Sequence, residues 1–543
     1  MKIKIILIWY CALLLFDANA QEKITQQKYQ LPLLIGKDLN PVLRLTINAT
    51  EEKVLNGLSL AIPLNAADIE SAQFFALNQD SAFITDAKLQ KATVVAKANG
   101  EKSKELQLKG DFKLKPGQNY FWLTLKLKPN SDLQHRLNLT VNAVTINNKK
   151  IKVNEPQQSI NQYVAVAMRQ HNQENVHTHR IPGLATANDG TLLSVYDARR
   201  TKGGDLQGDI DIGLSRSLDK GKTWLPMQVV LDMGEWGGLP QKFNGVSDAS
   251  ILVDKKTGDI FVAGLWMYGV INKDGKWLEG LNEESTDWNH QWRDKGSQPG
   301  FDVKQTSQFL ITKSTDNGKT WSKPINITKM CKKEEWWLWA PAPGAGITLK
   351  DGTLVFPTQG RDVTGKAFSI ITYSKDGGVT WTTSNPATAE STTENMAVEL
   401  SDGSIMLNMR ANSNRTDTTS TNGRAISVTS DLGNNWTIHP TSHRALQEPT
   451  CMASIIRHDY TKNGAAKSLL IFCNPDSKVA RNYISLKVSS DDGKTWEKKM
   501  MFDEWKGRGY SCITSIDEET IGVLYESSQA DLVFQAVKLK DLL

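Results

Sequence analysis

The sequence predicts an all-β chain, a six-bladed β-propeller over residues 160–543 preceded by a small β-sandwich over residues 22–155. Three observations predict it. A motif of the form S/T-x-D-x-G-x-x-W occurs five times in the C-terminal two-thirds of the 543 residues. Apolar and polar residues alternate with period two through the N-terminal third, the pattern of half-buried strands. Asp-Gly pairs stand between short apolar runs, where a tight hairpin corner needs them. The length exceeds what one ordinary core serves, so two or more domains are expected.

Residues 1–20 read as a cleaved secretory leader and not as part of the fold. Lys2 and Lys4 precede an apolar run from Ile5 to Phe16, and Ala18-Asn19-Ala20 supplies the small residues of a cleavage site. The run is short for a spanning helix, and no later apolar stretch is long enough to cross a bilayer. Cys11 lacks the small residues that precede a lipidated cysteine. The expectation is a secreted or periplasmic protein cleaved near Ala20, with no integral membrane segment.

From about 22 to 155 the repeated motif is absent. Leu43, Leu45 and Ile47 alternate with Arg44, Thr46 and Asn48. Phe121, Leu123, Leu125 and Leu127 alternate with Trp122, Thr124, Lys126 and Lys128, and Leu137, Leu139 and Val141 follow the same rule. Turn signals such as Lys115-Pro116-Gly117-Gln118 separate these runs. A small antiparallel sandwich accommodates them. Two roles stay open for it: a carbohydrate-binding module with its own glycan ligand, and a structural cap.

The motifs run Ser217–Trp224, Ser314–Trp321, Ser374–Trp381, Thr429–Trp436 and Ser489–Trp496. Their aspartates, at 219, 316, 376, 431 and 491, are spaced by 60, 55 and 60 residues after the second. That spacing accommodates four short antiparallel strands with turns, one blade of a propeller. Asp caps nearby backbone N–H groups, Gly permits φ > 0, and the closing Trp buries a large ring. The motif is therefore read as a structural staple. Hairpin corners are expected at Asp189-Gly190, Asp351-Gly352 and Asp402-Gly403. Five motifs in some 380 residues imply six blades, one of them without a recognisable motif. The wider gap between Asp219 and Asp316 holds an insertion at about 267–301 that carries Trp277, Trp288 and Trp292. Its aromatics either border a site or form a small core of their own.

Composition narrows the function classes. Net charge is +5, and +4 without the leader, from 62 basic and 58 acidic residues mixed along the chain. A nucleic-acid binder would concentrate its basic residues in a stripe. Cys331, Cys451, Cys473 and Cys512 show no C-x-x-C spacing, which argues against metal or redox chemistry. One or two disulfides and buried free thiols are both open.

His179-Arg180-Ile181-Pro182 resembles the F/Y-R-I-P signature of the exo-sialidases (neuraminidases), with His179 where that family usually has an aromatic. The five motifs resemble that family's Asp boxes, and the likeness covers residues 160–543. A sialoside carries a carboxylate on its anomeric carbon, and arginine supplies a planar fork for it. The resemblance implies three carboxylate-binding arginines: Arg180; Arg410, in Met406-Leu407-Asn408-Met409-Arg410; and Arg481, in Ala480-Arg481-Asn482 on the strand leading into the last Asp box. Each taken alone reads as a surface charge.

The resemblance also implies the catalytic groups. A carboxylate nucleophile would be repelled by the substrate's own carboxylate, whereas a neutral tyrosine is not. Tyr510, in Arg508-Gly509-Tyr510-Ser511, resembles the nucleophile, and Glu394, in Thr393-Glu394-Asn395-Met396, its partner base. Glu399 competes but reads as framework. Asp205, on the glycine-rich loop Lys202-Gly203-Gly204-Asp205, resembles the acid/base, although residue type alone leaves Asp209 and Asp211 open. Arg199 and Asp248 look like substrate-binding residues near the sugar's hydroxyls; Asp248 also reads as turn chemistry before a strand. Trp266 reads either as part of an N-acetyl pocket or as buried framework.

The implied function is a retaining exo-α-sialidase acting on terminal sialic acid of sialylated glycans, with no metal and no organic cofactor. Three alternatives stand beside it. A non-catalytic sialic-acid-binding propeller would keep the arginines and lose Asp205, Glu394 or Tyr510. A glucan-cleaving propeller would need no arginine trio. An intramolecular trans-sialidase variant would share most of the site.

Overall fold

The computed structural model describes residues 22–101, 103–156, 159–206, 208–268, 278–286 and 296–543. Residues 1–20, expected to be a leader, and Trp277, Trp288 and Trp292 of the expected insertion lie outside the described residues.

The N-terminal region forms nine hydrogen-bonded strands, from Lys23–Lys28 to Lys149–Lys152. They make one continuous sheet rather than two separate ones. Its two leaves are joined through a single residue pair, Lys97 opposite Lys109. The sheet folds back on itself there, so Phe112 of one leaf meets Phe121 of the other edge-on, ring centres 5.5 Å apart. Leu43, Leu45 and Ile47 are buried, while Arg44, Thr46 and Asn48 are not, as alternation predicts. Trp122 departs from the pattern: it stands on the polar face and is fully buried.

Six sheets follow, each built on a blade of four strands and three of them carrying additional short strands, and their inner strands pack around a central axis. Blade I runs from Thr178–Thr186 to Gln228–Leu231, and blade II from Val246–Val253 to Ile325–Asn326. Blade III runs from Leu338–Pro341 to Thr382–Thr383, and blade IV from Thr392–Glu399 to Thr437–Ile438. Blade V runs from Ser454–Lys462 to Glu497–Asp503. Blade VI takes Ser511–Asp517, Thr520–Tyr525 and Leu532–Lys538 from the C-terminus. Its outer strand, Gln162–Arg169, comes from the other end of the propeller region.

This closure explains the missing motif. In blades I to V the Asp box occupies the turn between the third and fourth strands. In blade VI those two strands are not consecutive in the chain, so there is no turn to staple. Where the motif occurs it forms the expected bonds. Asp316 accepts from the main-chain N–H of Thr320 at 2.9 Å, Ser314 Oγ donates to it at 2.8 Å, and the Trp321 indole donates to Gly318 O at 3.2 Å. Gly221 (φ +89°) is obligatory for a second reason: a Cβ there would lie 2.0 Å from the Phe534 ring of blade VI.

The two regions share structure. Leu33–Ile35 pairs in parallel with Gln162–Arg169, adding a fifth strand to blade VI, and Arg136–Leu137 pairs with the start of the same strand. All four described cysteines are free and buried, so the thiol alternative holds and the disulfide one does not.

Candidate active site

One face of the propeller opens into a cavity of about 980 Å³. Arg180, Asp205, Asp248, Glu394, Arg410, Arg481 and Tyr510 line it, seven residues from five blades or the loops that join them. Local backbone irregularity aims three of them. The pairing register shifts between Arg180 and Gly183, between Ser247 and Ser250, and between Thr392 and Asn395, each on an inner strand. Such bulges re-aim side chains beside sites. Two of the bulges carry left-handed non-glycine residues, Ile181 and Asp248, both at φ 59°. For a β-branched isoleucine that conformation costs energy, which the surrounding bonds must offset.

Tyr510 stands just before the inner strand of blade VI, and its hydroxyl donates to Glu394 Oε1. Arg410 Nη1 approaches both members of this pair, at 2.5 Å from Glu394 Oε2 and 3.1 Å from the Tyr510 oxygen. Arg180 and Arg481 lie over the Tyr510 ring, at 5.3 and 5.4 Å from its centre. Burial, and next the charge of Glu394, push the Tyr510 phenol well above its ordinary value, against Arg410 and Arg481. The resting side chain is a neutral phenol with a carboxylate at its proton and cations around it.

Each arginine is held differently. Glu526 grips Arg180 through two bonds, 2.9 and 3.2 Å, and is itself almost wholly buried. Glu526 also accepts the main-chain N–H groups of Ile181 (2.9 Å) and Tyr510 (3.1 Å), so one carboxylate ties blade I to blade VI beneath the cavity. Although burial opposes it, Arg180 and these donors hold the Glu526 carboxyl below its ordinary value. Arg481 lies in the loop between Pro475 and Ile484, ahead of the strand on which it was expected. Its guanidinium donates to the carbonyls of Arg508 (3.0 Å) and Thr450 (3.3 Å).

Asp205 projects from its loop with about half its side chain exposed, 2.8 Å from Arg199 and 3.7 Å from Arg180. Its rivals are engaged elsewhere: Asp211 pairs with Arg200, and Asp209 accepts from Gln241. Glu399 accepts the main-chain N–H of Lys350, a framework role. Trp266 is buried against Trp236 and donates to Asn244, off the cavity wall. His179 fills the aromatic position as packing, its ring edge-on to Tyr196 at 5.5 Å.

Arg199, expected beside the sugar, is 1% exposed and is not among the residues that line the cavity. Its guanidinium is committed to Asp197 (2.9 and 3.2 Å), to the Gly203 carbonyl (3.0 Å) and to Asp205. Its geometry is that of a residue positioning the Asp205 loop. Asp197, which sequence reasoning passed over, is its counter-charge; it also accepts from Ser247 (2.6 Å) and from the N–H of Asp248 (3.1 Å). Burial first, then the carboxylates Asp197, Glu394 and Asp205, raise the Asp248 carboxyl well above its usual range.

Glu526, Gln359 and Arg361 were also missed. Gln359 and Arg361 extend the cavity over blade III, and the Arg361 guanidinium makes no ion pair or hydrogen bond among the described residues. The one readable signal was Asp197, an acid inside the apolar strand Leu192–Arg199. No group of three or more His, Cys, Asp and Glu among the described residues is arranged to hold a metal ion.

The chain is similar in sequence and fold to known proteins. A family model described as BNR repeat-like domain matches residues 181–501, and one described as the N-terminal domain of BNR-repeat neuraminidase matches residues 21–150. A sialidase of Bacteroides fragilis (strain YCH46) is 40% identical over 97% of this chain and 96% of its own length. A sialidase of Micromonospora viridifaciens is 32% identical over 65% of this chain and 50% of its own. Among solved structures, the Hadza microbial sialidase Hz136 matches with a TM-score of 0.84 and 34% identity, over 96% of this chain and 100% of that one.

Proposed function

This chain belongs to the BNR-repeat neuraminidase family and is an exo-sialidase, a glycoside hydrolase acting on sialylated glycans; from that premise we propose a retaining mechanism through a tyrosyl–sugar intermediate. One observation carries it: the buried Tyr510 hydroxyl donates to Glu394 and lies 3.1 Å from Arg410, under a cavity that Asp205 also faces.

In the proposed cycle Arg180, Arg410 and Arg481 bind the substrate carboxylate. Asp205 donates its proton to the glycosidic oxygen as the bond from that oxygen to the anomeric carbon breaks. The Tyr510 oxygen forms a bond to the same carbon and passes its proton to Glu394. A neutral phenol avoids repulsion by the bound carboxylate until the moment of attack. Water then attacks the anomeric carbon and loses a proton to Asp205. The tyrosine oxygen departs and recovers its proton from Glu394, restoring the starting state. Two inversions leave the sugar with its original configuration. Arg199 and Asp197 hold the Asp205 loop, and Asp248 supports recognition of the sugar's hydroxyl groups.

The testing experiment incubates the protein with a fluorogenic α-sialoside and follows products by NMR, alongside Tyr510→Phe. α-Sialic acid as the first product, with kcat reduced at least ~100-fold in the variant, is the expected result; electrostatic stabilisation and binding alone account for the residual rate. Initial β-sialic acid or an anhydro product would overturn the retaining-hydrolase reading. For location the proposal is export, with the leader removed near Ala20, and N-terminal sequencing of the natural product tests it. A glycan ligand for the N-terminal domain has thinner support. Its surface depression is lined by Asp38, Glu70, Gln73 and Lys126, and the one lining ring, Phe75, is buried.

A further inference from the structure

The segment that carries the nucleophile is anchored outside the propeller. It leaves blade V at Asp503 and reaches Tyr510 seven positions later. Trp505, inside this segment, is 5% exposed, and every ring it meets belongs to the N-terminal domain. Tyr29 lies at 5.2 Å, Phe83 at 5.3 Å and Trp122 at 5.7 Å between ring centres, all edge-on. Two backbone-directed bonds fix the same junction: the Glu504 N–H donates to Gln30 O, and the Gln30 N–H to the Glu504 carboxylate, both 2.9 Å. Trp505 thus joins Tyr29, Ile84 and Leu89 in burying Trp122 on the polar face of its strand.

Beyond Trp505 the segment touches the site almost residue by residue. The Gly507 N–H donates to the Arg481 carbonyl at 3.1 Å, and the Arg508 carbonyl accepts from the Arg481 guanidinium at 3.0 Å. Gly509, at φ +87°, lies so close to Arg481 and Pro475 that a Cβ would stand 2.9 Å from each. Tyr510 follows at once, its N–H on Glu526. The chain between anchor and nucleophile has no slack.

We infer that Trp505 is a positioning residue for Tyr510, and that the N-terminal domain acts as a buttress holding the nucleophile against Glu394. The inference rests on Tyr510 being the nucleophile, as proposed above. Loss of the indole leaves Glu394, Arg410 and Asp248 on their own strands, and Arg481 keeps its bond to Thr450. The defect belongs to the chemical step more than to substrate capture, because a displacement of about 1 Å at a reacting atom costs up to ~100-fold.

The experiment measures kcat, KM and the rate of covalent adduct formation with 2,3-difluorosialic acid, the last by intact-mass spectrometry. It compares wild type, Trp505→Ala, Trp505→Phe, Phe83→Ala and Tyr510→Phe in the full chain. Expected for Trp505→Ala is a kcat lowered about tenfold with KM within about twofold and adduct formation slowed in step with kcat. Trp505→Phe should restore most of the loss. Phe83 is more than half exposed and does not line the cavity, so its alanine variant decides the matter even where Trp505→Ala does not fold. There a kcat lowered about threefold at constant KM is expected. Wild-type kcat and adduct rate in folded Trp505→Ala, or in Phe83→Ala, overturn the buttress. So does a loss confined to KM. Full activity in Tyr510→Phe would sink the nucleophile assignment instead, and the two failures are read from different variants.

Discussion

At the scale of single residues, the legible part of the site was the part whose chemistry dictates residue type. A carboxylate-bearing sugar requires arginines and a neutral nucleophile, and Arg180, Arg410, Arg481, Glu394 and Tyr510 do converge on one cavity. Glu526 was illegible because an acid after a strand usually faces water, and only the closed ring of blades puts this one beneath Arg180. The burial of Arg199 was illegible for the converse reason: its partner Asp197, two positions earlier, turns it inward. Asp248 shows what such convergence costs. Its carboxyl is buried beside three other acids, and its pKa is raised. A raised carboxyl contributes full stability below the unfolded value near ~4. That contribution is lost as pH rises toward the folded value, because folding there demands uptake of a proton. Asp248→Asn removes the penalty. Its melting temperature relative to wild type should climb between pH 4 and pH 7, by on the order of 2 °C, while KM for a sialoside rises. A difference that stays constant or falls across that range, measured by scanning calorimetry, would show that the buried acid is not strained by charge.

At the scale of elements, the motif and the hairpin corners were readable because each is local. Asp189, Asp351 and Asp402 each accept the main-chain N–H two residues on, at 2.8 or 2.9 Å, and a glycine of positive φ completes each corner. The bulges that aim Arg180, Asp248 and Glu394 were not readable. A bulge is a mismatch between two strands, and neither strand's own residues announce it. The same separation of local from non-local divides stability from activity. Asp491 accepts from Ser489 Oγ at 2.7 Å and from the Thr495 N–H and hydroxyl at 2.9 and 2.7 Å, and, although desolvation opposes them, these donors bring its carboxyl down to about 2. A depressed carboxyl contributes stability above its unfolded value and loses it as pH falls through the folded one. Asp491→Ala should therefore lower the melting temperature at pH 7, with a deficit that shrinks toward pH 2. KM and kcat should stay unchanged, since the turn lies off the cavity wall. Altered kinetics in a folded variant would mean that the staple reaches the site, contrary to its reading as framework.

At the scale of the whole molecule, six blades were countable from five motifs, but how the ring closes was not. Gln162–Arg169 pairs with Leu532–Lys538 across most of the chain's length, a contact that no short pattern encodes. Trp122 was the overlooked clue to the second long-range contact, because a large apolar ring on the polar face of an alternating strand needs a cover. Trp505, on the segment leading to Tyr510, is part of that cover, and Tyr29, Ile84 and Leu89 supply the rest. That contact and the pairing of Leu33–Ile35 with Gln162–Arg169 tie the N-terminal domain to the propeller. Deleting residues 22–155 would take Leu33–Ile35 from the edge of blade VI and uncover both the strand it pairs with and Trp505. An unpaired edge beside an exposed indole promotes self-association. The isolated segment 160–543 should thus melt roughly 10 °C lower or aggregate, a loss of several kcal/mol at the scale of a large domain. Whatever fraction stays monomeric should show the kinetic signature of Trp505→Ala, a lowered kcat at nearly constant KM. A truncated propeller with the full chain's melting temperature and kcat would show that ring closure needs only the pairing of Gln162–Arg169 with Leu532–Lys538, and that the N-terminal domain contributes to neither stability nor chemistry.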